Sequence, residues 1–95
     1  MTLPPELEHV LAEGSEVNGE VIRRLRESRN LELEEVAAAT HIRRAYLEAI
    51  ENMDTSELPA RVYLRGFLTQ IARVLKVDKK VLSEGYLAFV ERYQR

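Results

Sequence analysis

The sequence predicts an all-α domain of five helices behind a short N-terminal appendage. From position 19 onward apolar residues recur at three- and four-residue intervals, no stretch alternates apolar and polar residues as a strand does, and polar or proline-bearing turns separate the periodic segments. Ninety-five residues is one domain's length, and 45% hydrophobic with 32% charged residues suits a chain that folds around one modest core.

Residues 1–18 read as a tail. Pro4 and Pro5 suit a first helical turn, and Leu7, Val10 and Leu11 make one short apolar face before Gly14 and Ser15, so a helix over about 5–13 is expected. It is too short to hold without something to dock on. Four acids (Glu6, Glu8, Glu13 and Glu16) and no Lys or Arg lie in residues 1–17. The remainder therefore carries 14 basic and 12 acidic residues although the whole chain is at −2, a balance well short of a strongly basic nucleic-acid binder.

Asn18 can cap a first body helix over 19–28, with Val21, Ile22 and Leu25 inward and Arg23, Arg24, Arg26 and Glu27 outward. Asn30 suits the left-handed residue after it. The second helix, over 33–39, faces Leu33, Val36 and Ala37 inward, with Glu34 and Glu35 at its positive end. A tight turn at Thr40-His41-Ile42 leads to a third helix over 43–52 that buries Leu47 and Ile50 and keeps Tyr46 at its edge. Residues 53–58 are turn formers, and Pro59 reads as the first-turn proline of a helix over 59–75 striped by Leu64, Leu68, Ile71 and Leu75. Asp78 caps the fifth helix, over 79–93, with Val81, Leu82, Tyr86, Phe89, Val90 and Tyr93 as apolar positions. Gly85 costs roughly 1 kcal/mol there and predicts a bend or a split.

The second and third helices meet the demands of a helix-turn-helix unit. Ala37 is small where the two helices cross, Ile42 can plug the turn from below, and Leu47 with Ile50 face inward. Spacing alone is equally served by a generic helical core. A wider pattern favours the motif: residues 31–40 (LELEEVAAAT), 44–51 (RAYLEAIE), 58–67 (LPARVYLRGF) and 72–75 (ARVL) resemble the RodZ-type helix-turn-helix family over about residues 19–86. The proline, aromatic and Arg-Gly-aromatic segment is the most specific part. The resemblance implies a compact domain of the lambda-repressor-like type, related to Cro/C1-type repressor domains. Two positions depart from the family pattern. Glu32 stands where serine or threonine often caps the second helix, and His41 stands where many DNA-binding relatives have glycine, which accepts a left-handed backbone without strain.

Two kinds of partner follow. In DNA-binding relatives the third helix enters the major groove, which makes His41, Arg43, Arg44 and Glu48 the candidates for a transcriptional regulator, the alternative reading. With Ala45 and Glu51 also taken as exposed, that helix offers two bases against two acids, and Arg44 with Glu48 is placed as an i,i+4 pair on a solvated face. The favoured reading lies on the fourth helix. Tyr63 and Phe67, four residues apart, put rings along one face with Arg65 and Gly66 between them, and aromatics and arginine are the residue types of binding hot spots. A core role for both rings against helix five is the plain alternative. Gly66 suggests close backbone approach by a neighbouring element or a partner. RodZ-type domains are bacterial cytoskeletal adaptors that dock the actin-like protein MreB through the matching aromatics, so the resemblance implies a protein partner for Tyr63, Phe67 and Arg65. A third reading is self-association through the tail or through Phe89 and Tyr93.

Catalysis is not expected. His9 and His41 are the only histidines, cysteine is absent, and Ser15, Ser28, Ser56 and Ser83 lack a nucleophile setting; no metal, cofactor or small-molecule substrate is expected. Glu32, Glu34 and Glu35 read as helix-start charges. No apolar run nears the ~20 residues of a membrane span and no signal pattern opens the chain, so the domain is expected to be cytoplasmic, with any membrane anchor of a longer protein outside these residues.

Overall fold

Asn18 starts the first helix through its side chain: Oδ1 accepts the Val21 N–H at 3.0 Å, satisfying one of the unpartnered donors of a helix start. Helix α1 then runs Gly19–Ser28. The computed structural model describes residues 16–93, so the helix expected over 5–13 lies outside the described residues. Asn30 takes the left-handed conformation expected of it, at φ 57°. Its N–H donates to the Glu27 carbonyl and that of Leu31 to the Arg26 carbonyl, the paired bonds of a Schellman ending.

Helix α2 spans Leu33–Thr40 and α3 spans Arg44–Asn52. The weak cap at Glu32 is offset from the other direction, because the Glu35 carboxylate accepts the Glu32 N–H at 2.9 Å. His41 sits in the left-handed region at φ 59°, ψ 22°, where glycine would be unstrained, and its N–H bonds the Ala37 carbonyl at 2.8 Å. Thr40 locks the turn from inside: its buried hydroxyl donates to the Val36 carbonyl at 2.7 Å and accepts the Ile42 N–H at 3.2 Å. Ile42 is buried beneath the two helices as the motif requires. Arg43 lies one residue ahead of α3 with extended backbone.

Helix α4 spans Arg61–Leu75 and α5 spans Lys79–Tyr93. Pro59 is not a first-turn proline. Ala60 is extended, at ψ 147°, and its carbonyl is the first acceptor, for Tyr63 and Leu64 at 2.9 Å each, so the helix opens two residues later than its proline suggests. Asp78 caps α5 as expected, accepting the N–H groups of Lys80 and Val81 at 2.8 and 2.9 Å. The two long helices run antiparallel, joined at one end by the turn after Leu75 and tied at the other by Arg61 to Glu91 at 2.9 Å. Gly85 does not split α5, which runs through it as one helix. Leu82 and Tyr86 are fully buried on either side of it, and that burial outweighs glycine's weak helix propensity.

The inward faces of all five helices close on one core, in which the α4 stripe of Leu64, Leu68, Ile71 and Leu75 is 0–2% exposed. Val17, placed by sequence in the tail, is fully buried and donates its N–H to the Gly85 carbonyl at 3.1 Å. Tyr93 departs from its apolar assignment and is 62% exposed. The Arg61–Glu91 pair marks where α4 begins alongside α5, so the last residues of α5 have no α4 surface to cover them.

Three elements meet at one join. The start of α1 lies so close to the end of α3 that a Cβ on Gly19 would fall on the carbonyl oxygens of Ile50 and Glu51. Tyr86 of α5 donates its hydroxyl to the same Ile50 carbonyl at 2.7 Å, and burial pushes the Tyr86 phenol well above its ordinary range, so it remains a proton donor.

Candidate functional site

The face of α3 that would meet a DNA groove carries little usable charge. Arg44 is spent twice: its Nη1 donates to Glu34 of α2 at 2.6 Å and its Nε to Glu48 at 2.8 Å. The i,i+4 pairing is as expected, but the second acid comes from α2 and turns the site net negative around its only helical arginine. His41, Arg43 and Glu48 are all exposed, and among the described residues Arg43 is the one cation at the start of α3 without a carboxylate partner.

Two charged residues assigned to the surface belong inside. Glu51 is buried, 5% exposed, and Arg26 is half-buried rather than outward. The guanidinium of Arg26 donates to both carboxylate oxygens of Glu51, Nε at 2.7 Å and Nη2 at 3.1 Å, and its Nη1 reaches the Leu31 carbonyl at 2.7 Å. Bonding to Glu51 is the main reason the Arg26 pKa is raised, so the charge is firmly held. The error has a helical cause. Residue 51 follows Ile50 and lies one turn after Leu47, on the shoulder of the inward stripe, where a carboxylate survives only with a counter-charge from another helix.

The first two turns of α4 present a different surface. Val62 and Tyr63 are 77% and 65% exposed. Gly66 lies three and four residues further on, one turn above both, and a Cβ built on it would meet nothing within 4 Å. The close approach that Gly66 suggested therefore does not come from within the described chain. Arg65 is exposed and makes no ion pair among the described residues. The result is two large apolar side chains below a bare patch of helix backbone, with a free guanidinium to one side, where α4 faces a shallow groove lined by Arg61, Val62, Arg65, Leu87 and Glu91.

The three predicted residues do not form one continuous ring stack. Phe67 is half-buried and its ring lies 5.5 Å, tilted, from Tyr46 of α3, so it packs between those helices and makes no ring pair with Tyr63. Tyr63 and Arg65 remain open. Val62 was missed by sequence reasoning, although its position off the Leu64–Leu68–Ile71 stripe was a readable signal. The partnership of Tyr46 with Phe67 had none, because it joins separate helices.

Gly66 permits a direct measurement. Gly66→Ala fills empty space in a helix interior, so stability is expected to rise by about 0.5–1 kcal/mol. The thermal midpoint in a far-UV melt reads this out, and a lower midpoint would show that something unseen approaches the backbone there.

Comparison with family models matches residues 21–82, all of the chain from the first turn of α1 to the first turn of α5, to a model described as a helix-turn-helix domain. No match is found among curated proteins or among solved structures.

Proposed function

The chain belongs to the helix-turn-helix domain family, and from that premise we propose that it is a non-catalytic adaptor that docks a protein partner through the first turns of α4. The partner best suited by the RodZ-type resemblance is an actin-like filament protein of the MreB kind, in the bacterial cytoplasm. The observation that carries this reading is the pairing of exposed Val62 and Tyr63 with the open backbone at Gly66. Large apolar side chains exposed together in a folded domain mark an interaction site, and tyrosine and arginine are among the residue types enriched at binding hot spots. Phe67 supports the site from behind by holding α4 against Tyr46, and Arg65 supplies charge selectivity at the rim. No cofactor is required.

Tyr63→Ala is expected to weaken binding to a purified MreB-type filament protein by at least about thirtyfold, the cost of a lost hot spot, while the melting curve stays within about 0.5 kcal/mol of the parent. Undiminished binding by Tyr63→Ala would sink this docking site.

The second reading, a DNA-binding domain, rests on Arg43 alone, which stands exposed, with no ion pair among the described residues, where α3 would enter a groove. It calls for binding to duplex DNA that falls steeply with salt and is lost in Arg43→Ala.

A further inference from the structure

The paired charges show where the unpaired ones have gathered. Arg23 and Arg24 meet Glu20, Arg26 meets Glu51, Arg44 meets Glu34 and Glu48, Arg61 meets Glu91, and Arg92 meets Glu16. Arg43, ahead of α3, and Arg65, on α4, stand singly and far apart in the sequence. The turn between α4 and α5 is different. Arg73, Lys76, Lys79 and Lys80 all project from it, all are exposed, and among the described residues none of them forms an ion pair. Arg29 is brought to the same corner from α1, its Nε donating to the Leu75 carbonyl at 2.9 Å. The one acid in the turn, Asp78, is occupied with the N–H groups of Lys80 and Val81. The excess positive charge of the body therefore lies at this corner and not on α3.

We infer that this corner is a contact site for an anionic membrane surface, which it meets as a cluster of point charges. Four features favour a diffuse charged surface over recognition of a discrete group. Three of the four cations of this turn are lysines, compact and hydrated charges on flexible stems rather than bidentate forks. The N–H groups that would cradle a single phosphate at the start of α5 are already capped by Asp78. No aromatic side chain lies in the turn to stack on a base. Arg73, Lys76, Lys79 and Lys80 lie exposed together at one end of a helical hairpin, and clusters of four or more Lys/Arg are the pattern that anionic leaflets attract. Val77, half-buried between Lys76 and Asp78, adds no exposed apolar anchor, so binding should be electrostatic throughout.

The placement has a consequence for the adaptor reading, although it does not rest on it. Lys76 lies about 20 Å along α4 from Tyr63 at helical rise, so a partner on the first turns and a membrane at the last can be engaged together.

Flotation of the 95-residue protein with vesicles tests the inference, using about one-third phosphatidylglycerol in phosphatidylcholine against phosphatidylcholine alone. Binding is expected to the anionic vesicles only, and to vanish at high salt. The triple variant Lys76→Gln, Lys79→Gln and Lys80→Gln should reduce partitioning by roughly a hundredfold, whereas Arg24→Gln with Arg43→Gln, which removes charge elsewhere, should change it only a few-fold. Partner capture through Tyr63 serves as the separate readout for the adaptor site and should be unaltered in the triple variant. Absence of vesicle binding, equal loss in both variants, or duplex DNA binding that is stronger than vesicle binding at the same salt and lost in the triple variant would each overturn the membrane assignment.

Discussion

Replacing Gly19 by alanine is expected to destabilise the domain by about 3 kcal/mol, a large share of the 5–15 kcal/mol that holds a small domain together. The requirement is for space. Gly19 lies at the start of α1 in helical conformation, and its missing Cβ is where the Ile50 and Glu51 carbonyl oxygens sit. Those are backbone atoms and cannot swing aside as the end of a flexible side chain would. Either α1 or α3 must shift. A shift pulls on the Asn18 cap, on the core to which Ile22 and Ile50 both belong, and on the hydroxyl that Tyr86 donates to Ile50. Chemical denaturation followed by circular dichroism measures the loss, and a midpoint unchanged from the parent would show that the join is looser than it stands here. The contrast with Gly66→Ala is part of the test: the same substitution in two helices of one domain should move stability in opposite directions.

Glu51→Ala is expected to cost a similar amount, about 3 kcal/mol, for a different reason. The carboxylate it removes takes two hydrogen bonds from Arg26 and stands 3.6 Å from Arg23, leaving Arg26, only 12% exposed, with a charge and no counter-ion. The damage comes from the stranded cation and not from the intrinsic worth of the pair. Glu51→Leu combined with Arg26→Met should therefore regain much of the loss, because two apolar side chains of similar size fill the site without an uncompensated charge. Equal destabilisation of the single and double variants in urea denaturation would show that the Arg26 bond to the Leu31 carbonyl, which the double variant also loses, is the more important element.

The positions of the helices were legible in the residues to within about two places. Caps and turns act over three or four residues, so Asn18, Asn30 and Asp78 announced themselves correctly, and the leucine stripe of α4 could face only one way. Pro59 misled because a proline marks only where a helix may begin, whereas the first carbonyl to accept a helical bond, that of Ala60, marks where it does. Gly85 misled because helix propensity is worth about 1 kcal/mol and two buried neighbours outweigh it.

The candidate sites divide along the same line. That Tyr63 lies off the apolar stripe, and that Arg44 and Glu48 are one turn apart, follow from helical periodicity within a single segment. That Phe67 rests on Tyr46, that Glu34 reaches Arg44 from another helix, that Glu51 turns inward to Arg26, and that Arg29 joins the lysines after α4 depend on which helices touch. Periodicity places a side chain on a face of its own helix, and only the packing of five helices decides what that face meets. The sequence by itself determined an all-α helix-turn-helix domain, its caps and its core stripes; the tertiary structure alone decided which charges are neutralised and which surfaces remain open, because charge pairing and burial arise between segments far apart in the chain.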